Sequence, residues 1–195
     1  MYRDTHPGDF KGGEKVVELV EALGAAKRDR LELYLKSKLQ VSSPKSVIKF
    51  LHSQGFIYNN LENGYVYSSL REKPTTFSDI TLELFLSLSE SETDGMDRSK
   101  YPIDMQFYIG RKIYHLIDFQ ENGLEKLKYR YTMPKALTES EDVIPIIVSV
   151  NTHQKNTILL RDNKELLPAQ PYIIAKATVA GKCEIELAGH EAGTI

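Results

Sequence analysis

The dipeptide Asn63-Gly64 constrains the fold most, because it lies inside the aromatic-rich stretch FIYNNLENGYVYSS, residues 56–69. Asparagine followed by glycine is the strongest short-range signal of a β-hairpin, since both residues adopt positive φ angles at low cost. The tyrosine, isoleucine and valine residues on either side favour strands. The sequence therefore predicts two short strands joined at Asn63-Gly64.

Three helices are predicted between residue 13 and this hairpin. The segments EKVVELVEALG, KRDRLELYLKSKL and SSPKSVIKFLHSQG each repeat apolar residues at helical spacing. Gly24 ends the first helix and Gly55 ends the third, which begins with a serine cap and a proline in its first turn. The predicted core-facing residues are Val16, Leu19, Val20 and Leu23, then Leu31, Tyr34 and Leu35, then Val47, Ile48 and Leu51. Three helices followed by a hairpin are the layout of a winged helix-turn-helix.

Positive charge is concentrated in the second and third predicted helices, although the whole chain has a net charge of −2. Residues 27–49 contain seven Lys and Arg against two Asp and Glu. A local basic field of this kind can attract a polyanion even when the protein is slightly acidic overall. The alternative interpretation is a pair of solvated helix faces without a ligand.

The third helix carries the predicted nucleic-acid contacts, because in a winged helix this element usually lies in the major groove. Lys45, Lys49 and His52 are spaced i, i+4 and i+7, so they form one stripe opposite the apolar face. Ser43 and Ser46 stand at the helix start, where hydroxyls and backbone N–H groups suit phosphate. The cations predicted to be added by helix two are Lys27, Arg28, Arg30 and Lys36.

Two features limit this hypothesis. The wing tip, NNLENG, carries Glu62 and neither Lys nor Arg, whereas a wing that touches DNA usually offers a cation. The third helix has no arginine, so bidentate recognition of guanine from that helix is not expected. Lysine contacts would give affinity with modest sequence preference and a steep salt dependence.

Residues 74–195 are predicted to form an α/β domain behind the winged helix of residues 13–73. A helix over 77–88 places Phe77, Ile80, Leu84 and Leu88 on one face and is expected to belong to the second domain. The acidic run of residues 89–100 is the predicted loop at the border. Then follow two strands, a charged helix interrupted at Pro134, the buried strand VIPIIVSV, an ambiguous segment and the strands PYIIAKATV and KCEIEL. The predicted fold class is α/β (α+β) with a mixed sheet.

The composition excludes several classes of protein. A single cysteine, Cys183, leaves no internal disulfide framework and no cysteine-rich zinc site. No apolar run approaches the length of a membrane span, and MYRDTHPGDFKGG lacks the apolar core of a signal peptide. We therefore expect a cytoplasmic protein without a membrane partner.

Two carboxylates in the hairpin PIDMQFYIGRKIYHLIDFQ, residues 102–120, predict a second site. Metal-dependent nucleases hold Mg²⁺ with two or more oxygen ligands and place a cation nearby. Pairing centred on Arg111 would set Asp104 directly opposite Asp118, on one face. A two-residue turn at Gly110-Arg111 would instead set Asp104 opposite Ile117, on the other face. The alternative role of the two aspartates is a polar pair satisfied by backbone N–H groups or water.

Pro102-Ile103-Asp104, a hairpin, and then IDFQ followed by a helix resemble the core of the restriction-endonuclease-like fold, with its pattern P-D…(D/E)-x-K. A winged helix followed by such a domain resembles the replication-relaxation proteins of bacterial mobile elements, over residues 13–187. This resemblance implies that Asp104 and Asp118 are metal ligands and that position 120 holds the catalytic lysine. Gln120 stands there instead, and a neutral amide cannot replace an ammonium in stabilising negative charge. Lys126 or Lys128, on the following helix, is the alternative source of a cation.

The combined expectation is a DNA-binding protein of a mobile element, acting in replication or transcription regulation, with an inactive nuclease-like domain. Its expected partner is double-stranded DNA, and a homodimer is left open. No cofactor is expected, except Mg²⁺ or Mn²⁺ if the nuclease-like site is active. The alternatives are an active metal-dependent DNA nuclease and a protein-interaction adaptor that does not bind nucleic acid.

Overall fold

The computed structural model describes residues 6–119, 122–132, 143–150, 153–168, 172–180 and 182–190. The chain divides into two units, Met1–Asp97 and Arg98–Ile195. Each unit contains helices and strands, and the strands form two separate sheets. The fold class is therefore mixed α+β, as the sequence predicted.

The first unit alternates helices with very short strands. Its elements, in chain order, are α1 (Gly13–Leu23), β1 (Ala25–Lys27), α2 (Arg28–Ser37), α3 (Pro44–Ser53), β2 (Tyr58–Asn60), β3 (Tyr65–Tyr67) and α4 (Thr76–Leu88). The three strands form an antiparallel sheet in the order β1-β3-β2. The sequence did not predict β1, because three residues are too few to show the alternation by which a strand is recognised.

The hairpin predicted at Asn63-Gly64 is present, with a longer loop than a two-residue turn. Asn60 pairs with Tyr65, so residues 61–64 form the loop. The Asn63 side-chain oxygen accepts a hydrogen bond of 3.1 Å from the Tyr65 N–H, and Gly64 adopts a φ of 74°. These are the local bonds and the positive φ for which asparagine and glycine are favoured in turns.

The predicted apolar faces of the first three helices form the core of the first unit. Each of the core-facing residues named above is buried. Tyr34, Leu35 and Leu51 have no exposed surface at all. Burial of such side chains is the largest favourable term in folding, at roughly 25 cal/mol for each square ångström of apolar surface.

Helix α4 packs on the first unit, which differs from the expectation that it belongs to the second. The Ser78 hydroxyl donates to the Leu23 carbonyl at 3.2 Å, and the Phe85 ring lies 5.8 Å from that of Tyr34. Buried residues extend around the helix to Thr81, Leu82 and Phe85, so its apolar arc is wider than the predicted stripe. The division of the chain therefore falls after Asp97 rather than after residue 73.

The second unit is built on a mixed sheet. The strand β4 (Gly95–Arg98) spans the division between the units. The elements that follow are β5 (Met105–Ile109), β6 (Lys112–Asp118), α5 (Gly123–Thr132), β7 (Val143–Val150), α6 (His153–Asp162), β8 (Tyr172–Ala180) and β9 (Lys182–His190). The five strands after β4 are ordered β5-β6-β7-β8-β9. The β6-β7 and β7-β8 pairs are parallel, and the two outer pairs are antiparallel.

Helices α5 and α6 connect the parallel strands and share one core with them. Leu127 of α5 and Leu160 of α6 pack in one cluster with Ile117, Phe119 and Ile147. The short run VIPIIVSV became the central strand β7, whose Ile146, Ile147 and Val148 have no exposed surface. The ambiguous segment after it is helical over α6. None of the described helices has both the length and the apolar composition needed to cross a bilayer.

Candidate nucleic-acid interface and the predicted metal site

The stripe predicted on α3 is exposed. Lys45, Lys49 and His52 all lie on the solvent side of the helix, opposite the buried Val47, Ile48 and Leu51. Within the described part of the chain, neither Lys45 nor Lys49 is in an ion pair. The proline at the first turn and the apolar spacing of the helix therefore set two lysines where a ligand can reach them.

A cleft of about 410 Å³ lies beside this stripe. Its lining residues are Arg28, Glu32, Lys45, Ile48, Lys49, His52, Asn59 and Leu61. The fold thus brings Arg28 of α2 to the same cleft as the α3 lysines, and Asn59 of β2 and Leu61 of the β2–β3 loop line its other side. Glu32 is the acidic residue in the cleft, and its carboxylate lies 3.7 Å from the Arg28 guanidinium.

The start of α3 lines a second depression, which holds the predicted Ser43, Ser46 and Lys36 together with Lys45. Ser43 is the residue before the helix, but its hydroxyl makes no capping hydrogen bond to the helix. Backbone N–H groups at a helix start carry partial positive charge and suit anions. Asp29 and Glu32 also line this depression, so its charge is mixed.

Two of the predicted helix-two cations point elsewhere. The Lys27 ammonium lies 3.0 Å from Asp79, and the Arg30 guanidinium lies 2.6 Å from Glu83. Both acids belong to α4, which the sequence had assigned to the other domain. Lys27 and Arg30 therefore attach α4 to the first unit and are not grouped with the α3 stripe.

The partly buried acids of α4 have unusual surroundings. Burial raises the pKa of Glu83, and the nearby Arg30 acts in the opposite direction. The Tyr65 hydroxyl donates to Asp79 at 2.8 Å. Burial, and next this hydrogen bond, raise the pKa of the Tyr65 phenol. The cluster of Lys27, Tyr65 and Asp79 thus attaches α4 to the three-stranded sheet.

The residue that sequence analysis missed is Arg71. Its guanidinium carbon lies 4.3 Å from the centroid of the Tyr58 ring, on strand β2. The ring of His52, at the end of α3, meets Tyr58 edge-on at 5.7 Å. The sequence pattern does not predict this contact, because Arg71 follows the β2–β3 hairpin and depends on its own positive φ of 51° to reach Tyr58.

In the second unit, Asp104 is engaged by a lysine and by backbone. The Lys126 ammonium donates to both carboxylate oxygens of Asp104, at 2.7 and 2.8 Å. The N–H of Asp118 donates to the Asp104 carboxylate at 2.7 Å. The Lys126 side chain is only 14% exposed, and it also donates to the Asp118 carbonyl at 3.3 Å. Lys126 of α5 is therefore the cation that reaches this site.

The register of β5 and β6 places the Asp104 and Asp118 carboxylates on different faces of the sheet. Ile109 pairs with Lys112, so the turn is Gly110-Arg111, and Gly110 has a φ of 59°. Met105 pairs with Leu116, which sets Asp104 level with Ile117. Ile117 belongs to the core cluster that contains Leu127 of α5, and alternation places Asp118 on the other face of β6.

The predicted metal ligands Asp104 and Asp118 do not form a metal centre within the described residues. Among the described residues, no group of three or more His, Cys, Asp or Glu side chains is arranged to hold a metal ion. A divalent ion at Asp104 would share the carboxylate with Lys126, since both Asp104 oxygens accept from that ammonium. Gln120, at the position of the expected lysine, lies outside the described residues.

Comparisons of this chain with protein-family models, with curated proteins and with solved structures found no match. The resemblance to replication-relaxation proteins therefore stays a prediction from the sequence.

Proposed function

We propose that the first unit is a winged helix-turn-helix that binds double-stranded DNA through α3. The observation that carries this proposal is the exposed stripe of Lys45, Lys49 and His52, whose two lysines form no ion pair within the described chain. The order helix, strand, helix, helix, strand, strand supports it, because this order presents the third helix beside a wing.

The exposed stripe predicts non-specific affinity with modest sequence preference. Lysine ammonium groups neutralise phosphates as point charges and release counterions, so binding weakens steeply as salt rises. Arg28 lines the same cleft and adds a guanidinium at its edge. Base recognition by α3 would depend on Lys49 and His52, since the helix has no arginine.

For the second unit, we propose a restriction-endonuclease-like domain without cleavage activity, serving as a docking, DNA-bending or dimerisation surface. An antiparallel hairpin, a crossover helix and a parallel strand support the nuclease-like half of this proposal. The strand register supports the loss of activity, because it sets Asp104 level with Ile117 rather than Asp118, so the two carboxylates do not converge as a pair of metal ligands. By resemblance, the setting of this cytoplasmic protein is the replication or regulation of a plasmid or an integrated element.

The test is the affinity of the full chain for a fluorescent random-sequence duplex, measured by anisotropy at about 50 mM and about 200 mM salt. We expect the variant Lys45→Glu with Lys49→Glu to lose on the order of 100-fold in affinity, because two phosphate contacts become repulsive. Its plot of log affinity against log salt should also be less steep.

The matched control is Lys100→Glu with Lys112→Glu, which changes the net charge equally at two exposed lysines of the second unit. This control should bind like the unaltered protein. An unaltered protein that shows neither binding nor a salt slope would refute the proposal. Equal losses in the two double variants would mean that only the net charge matters, and α3 would no longer be the interface.

A second candidate function is metal-dependent DNA cleavage, and the position of Lys126 is the observation that favours it. This lysine brings an ammonium to Asp104 from α5, although Gln120 stands at the expected position. Incubation with supercoiled plasmid and Mn²⁺ separates the two candidates. Cleavage that is abolished by Asp118→Ala and by Lys126→Met would establish the nuclease, and an intact plasmid supports the inactive domain.

A third candidate is the protein-interaction adaptor. Large exposed apolar side chains on the first unit favour it, above all Leu61 at 72% exposure and Leu70 at 77%. The anisotropy experiment distinguishes it from the main proposal, because an adaptor should show no salt-dependent affinity for DNA.

A further inference from the structure

Arg71 lies over the outer strand of the wing. The residue follows β3 by four positions, and its N–H donates to the Ser68 carbonyl at 3.0 Å. The Arg71 side chain reaches β2, where the guanidinium carbon is 4.3 Å from the Tyr58 ring centroid. Arg71 is exposed and forms no ion pair within the described chain.

The Tyr58 ring joins this arginine to the end of the α3 stripe. His52, the last member of the stripe, meets the ring edge-on at 5.7 Å. Tyr67 of the neighbouring strand supports the ring at 6.2 Å. The lysines of the α3 stripe and Arg71 are therefore connected through the His52 imidazole and one aromatic ring.

We propose that Arg71 is the wing's contact with the DNA backbone, a role that depends on the proposed DNA-binding function. The guanidinium is held over Tyr58, so little side-chain freedom is lost when it binds, and its N–H donors suit a phosphate. The tip of the wing carries Glu62 and no cation. Arg71, which lies outside the hairpin, supplies the positive charge.

An arginine stacked on a tyrosine has a simpler explanation, which is local stabilisation of the wing. A stack that only stabilises would change the unfolding temperature and leave DNA affinity unaltered. Loss of a phosphate contact at this exposed position would lower DNA affinity and leave the unfolding temperature unaltered, because the contact exists only in the complex. Affinity and thermal unfolding measured on the same variants therefore separate the two.

The experiment compares Arg71→Gln with Lys73→Gln in the full chain, using the random-sequence duplex at both salt concentrations. Lys73 is an exposed lysine two residues away, and no aromatic ring contact is described for it. We expect Arg71→Gln to lose about tenfold in affinity, the equivalent of one charge-assisted hydrogen bond. The salt slope should fall by about 0.9, the value for one phosphate contact on duplex DNA. Lys73→Gln should change neither by much.

Two substitutions of Tyr58 test the role of the ring. Tyr58→Phe keeps the ring and should bind like the unaltered protein. Tyr58→Thr keeps a strand-favouring residue but removes the ring, so affinity should fall by about threefold, as Arg71 loses its support. Thermal unfolding measured in parallel identifies a variant that has lost its wing.

The outcomes distinguish this inference from the proposed function. If the unaltered protein binds and Lys45→Glu with Lys49→Glu does not, but Arg71→Gln matches Lys73→Gln, the wing contact is wrong and the α3 interface stands. If the unaltered protein does not bind DNA at all, both proposals fail. A loss specific to Arg71→Gln, with unchanged unfolding, supports the contact.

Discussion

The α3 stripe and the Asp104 site use similar charged groups in opposite ways. On α3, Lys45 and Lys49 are exposed and form no ion pair within the described chain. At the Asp104 site, the Lys126 ammonium is largely covered and binds a carboxylate of its own unit. Removing one partner of a covered ion pair destabilises a fold, whereas exposed unpaired charges contribute little to stability and remain available to a ligand. Substitutions should therefore affect stability at one site and DNA affinity at the other.

The largest expected effect on stability is at Asp104. Asp104→Ala leaves the poorly exposed Lys126 ammonium without its carboxylate and removes the acceptor of the Asp118 N–H. We expect a loss of about 2 kcal/mol in the free energy of unfolding of the second unit. Adding Lys126→Met should restore part of this loss, because the uncompensated charge is gone. Urea denaturation of Asp104→Ala, Lys126→Met and the double variant completes the cycle, and additive effects would contradict a direct ion pair.

The second largest expected effect on stability is at Asp79, which attaches α4 to the first unit. Asp79→Ala removes the acceptor of the Tyr65 hydroxyl and the partner of Lys27, and we expect it to cost about 1.5 kcal/mol in the first unit. DNA affinity should not decrease, since Lys27 then becomes an additional exposed cation. A variant that folds normally but binds DNA much more weakly would show that the α4 attachment and the interface are not separate.

Tyr34 provides a smaller effect, in the stabilising direction. Its ring is fully buried against Phe85, and its hydroxyl has no hydrogen-bond partner within the described chain. Tyr34→Phe should raise the free energy of unfolding by about 1 kcal/mol, because an unpaired buried hydroxyl is removed. Lower stability in this variant would mean that the hydroxyl has a partner.

The same residue gives a pH dependence with a defined sign. Burial, and next the negative charge of Asp94, raise the pKa of Tyr34 from 10.0 to about 12. The stability that this group contributes is fully present below pH 10.0 and is lost as the pH rises towards about 12. Denaturation midpoints measured across this window should fall for the unaltered protein and fall less for Tyr34→Phe.

The smallest expected effect on stability is at the α3 stripe. Lys45→Gln with Lys49→Gln should change the free energy of unfolding by less than about 0.5 kcal/mol, because neither lysine contributes an ion pair to the described fold. Calorimetry of the double variant checks this. A larger loss of stability would mean that the α3 lysines contribute to the fold, as Lys126 does at the Asp104 site.

The elements that have a local sequence pattern could be predicted from the sequence alone. Helix faces, the Asn63-Gly64 hairpin and the central strand β7 follow from spacing and turn chemistry within a few residues. The exposed side of α3 followed from the same periodicity. Each of these features depends on neighbours in the chain, so no tertiary information was needed.

The features that were missed depend on contacts between distant residues. Strand β1 exists because Ala25 pairs with Tyr67, and α4 joins the first unit through Asp79 and Glu83. The register at Asp104 could not be chosen from the sequence, because both turns were compatible with the alternation. Lys126 was one of two candidate lysines on α5, and only the fold shows that it meets Asp104.

The position of α4 decides where this protein can be cut into parts. A fragment that ends at residue 73, as the sequence pattern suggests, would lack α4. Leu23 and Tyr34 would lose their contacts with Ser78 and Phe85. Lys27 and Arg30 would lose their acidic partners. Such a fragment should aggregate or precipitate on expression. A fragment that ends at residue 97 keeps the helix and is the sensible choice for crystallisation or spectroscopy of the first unit alone.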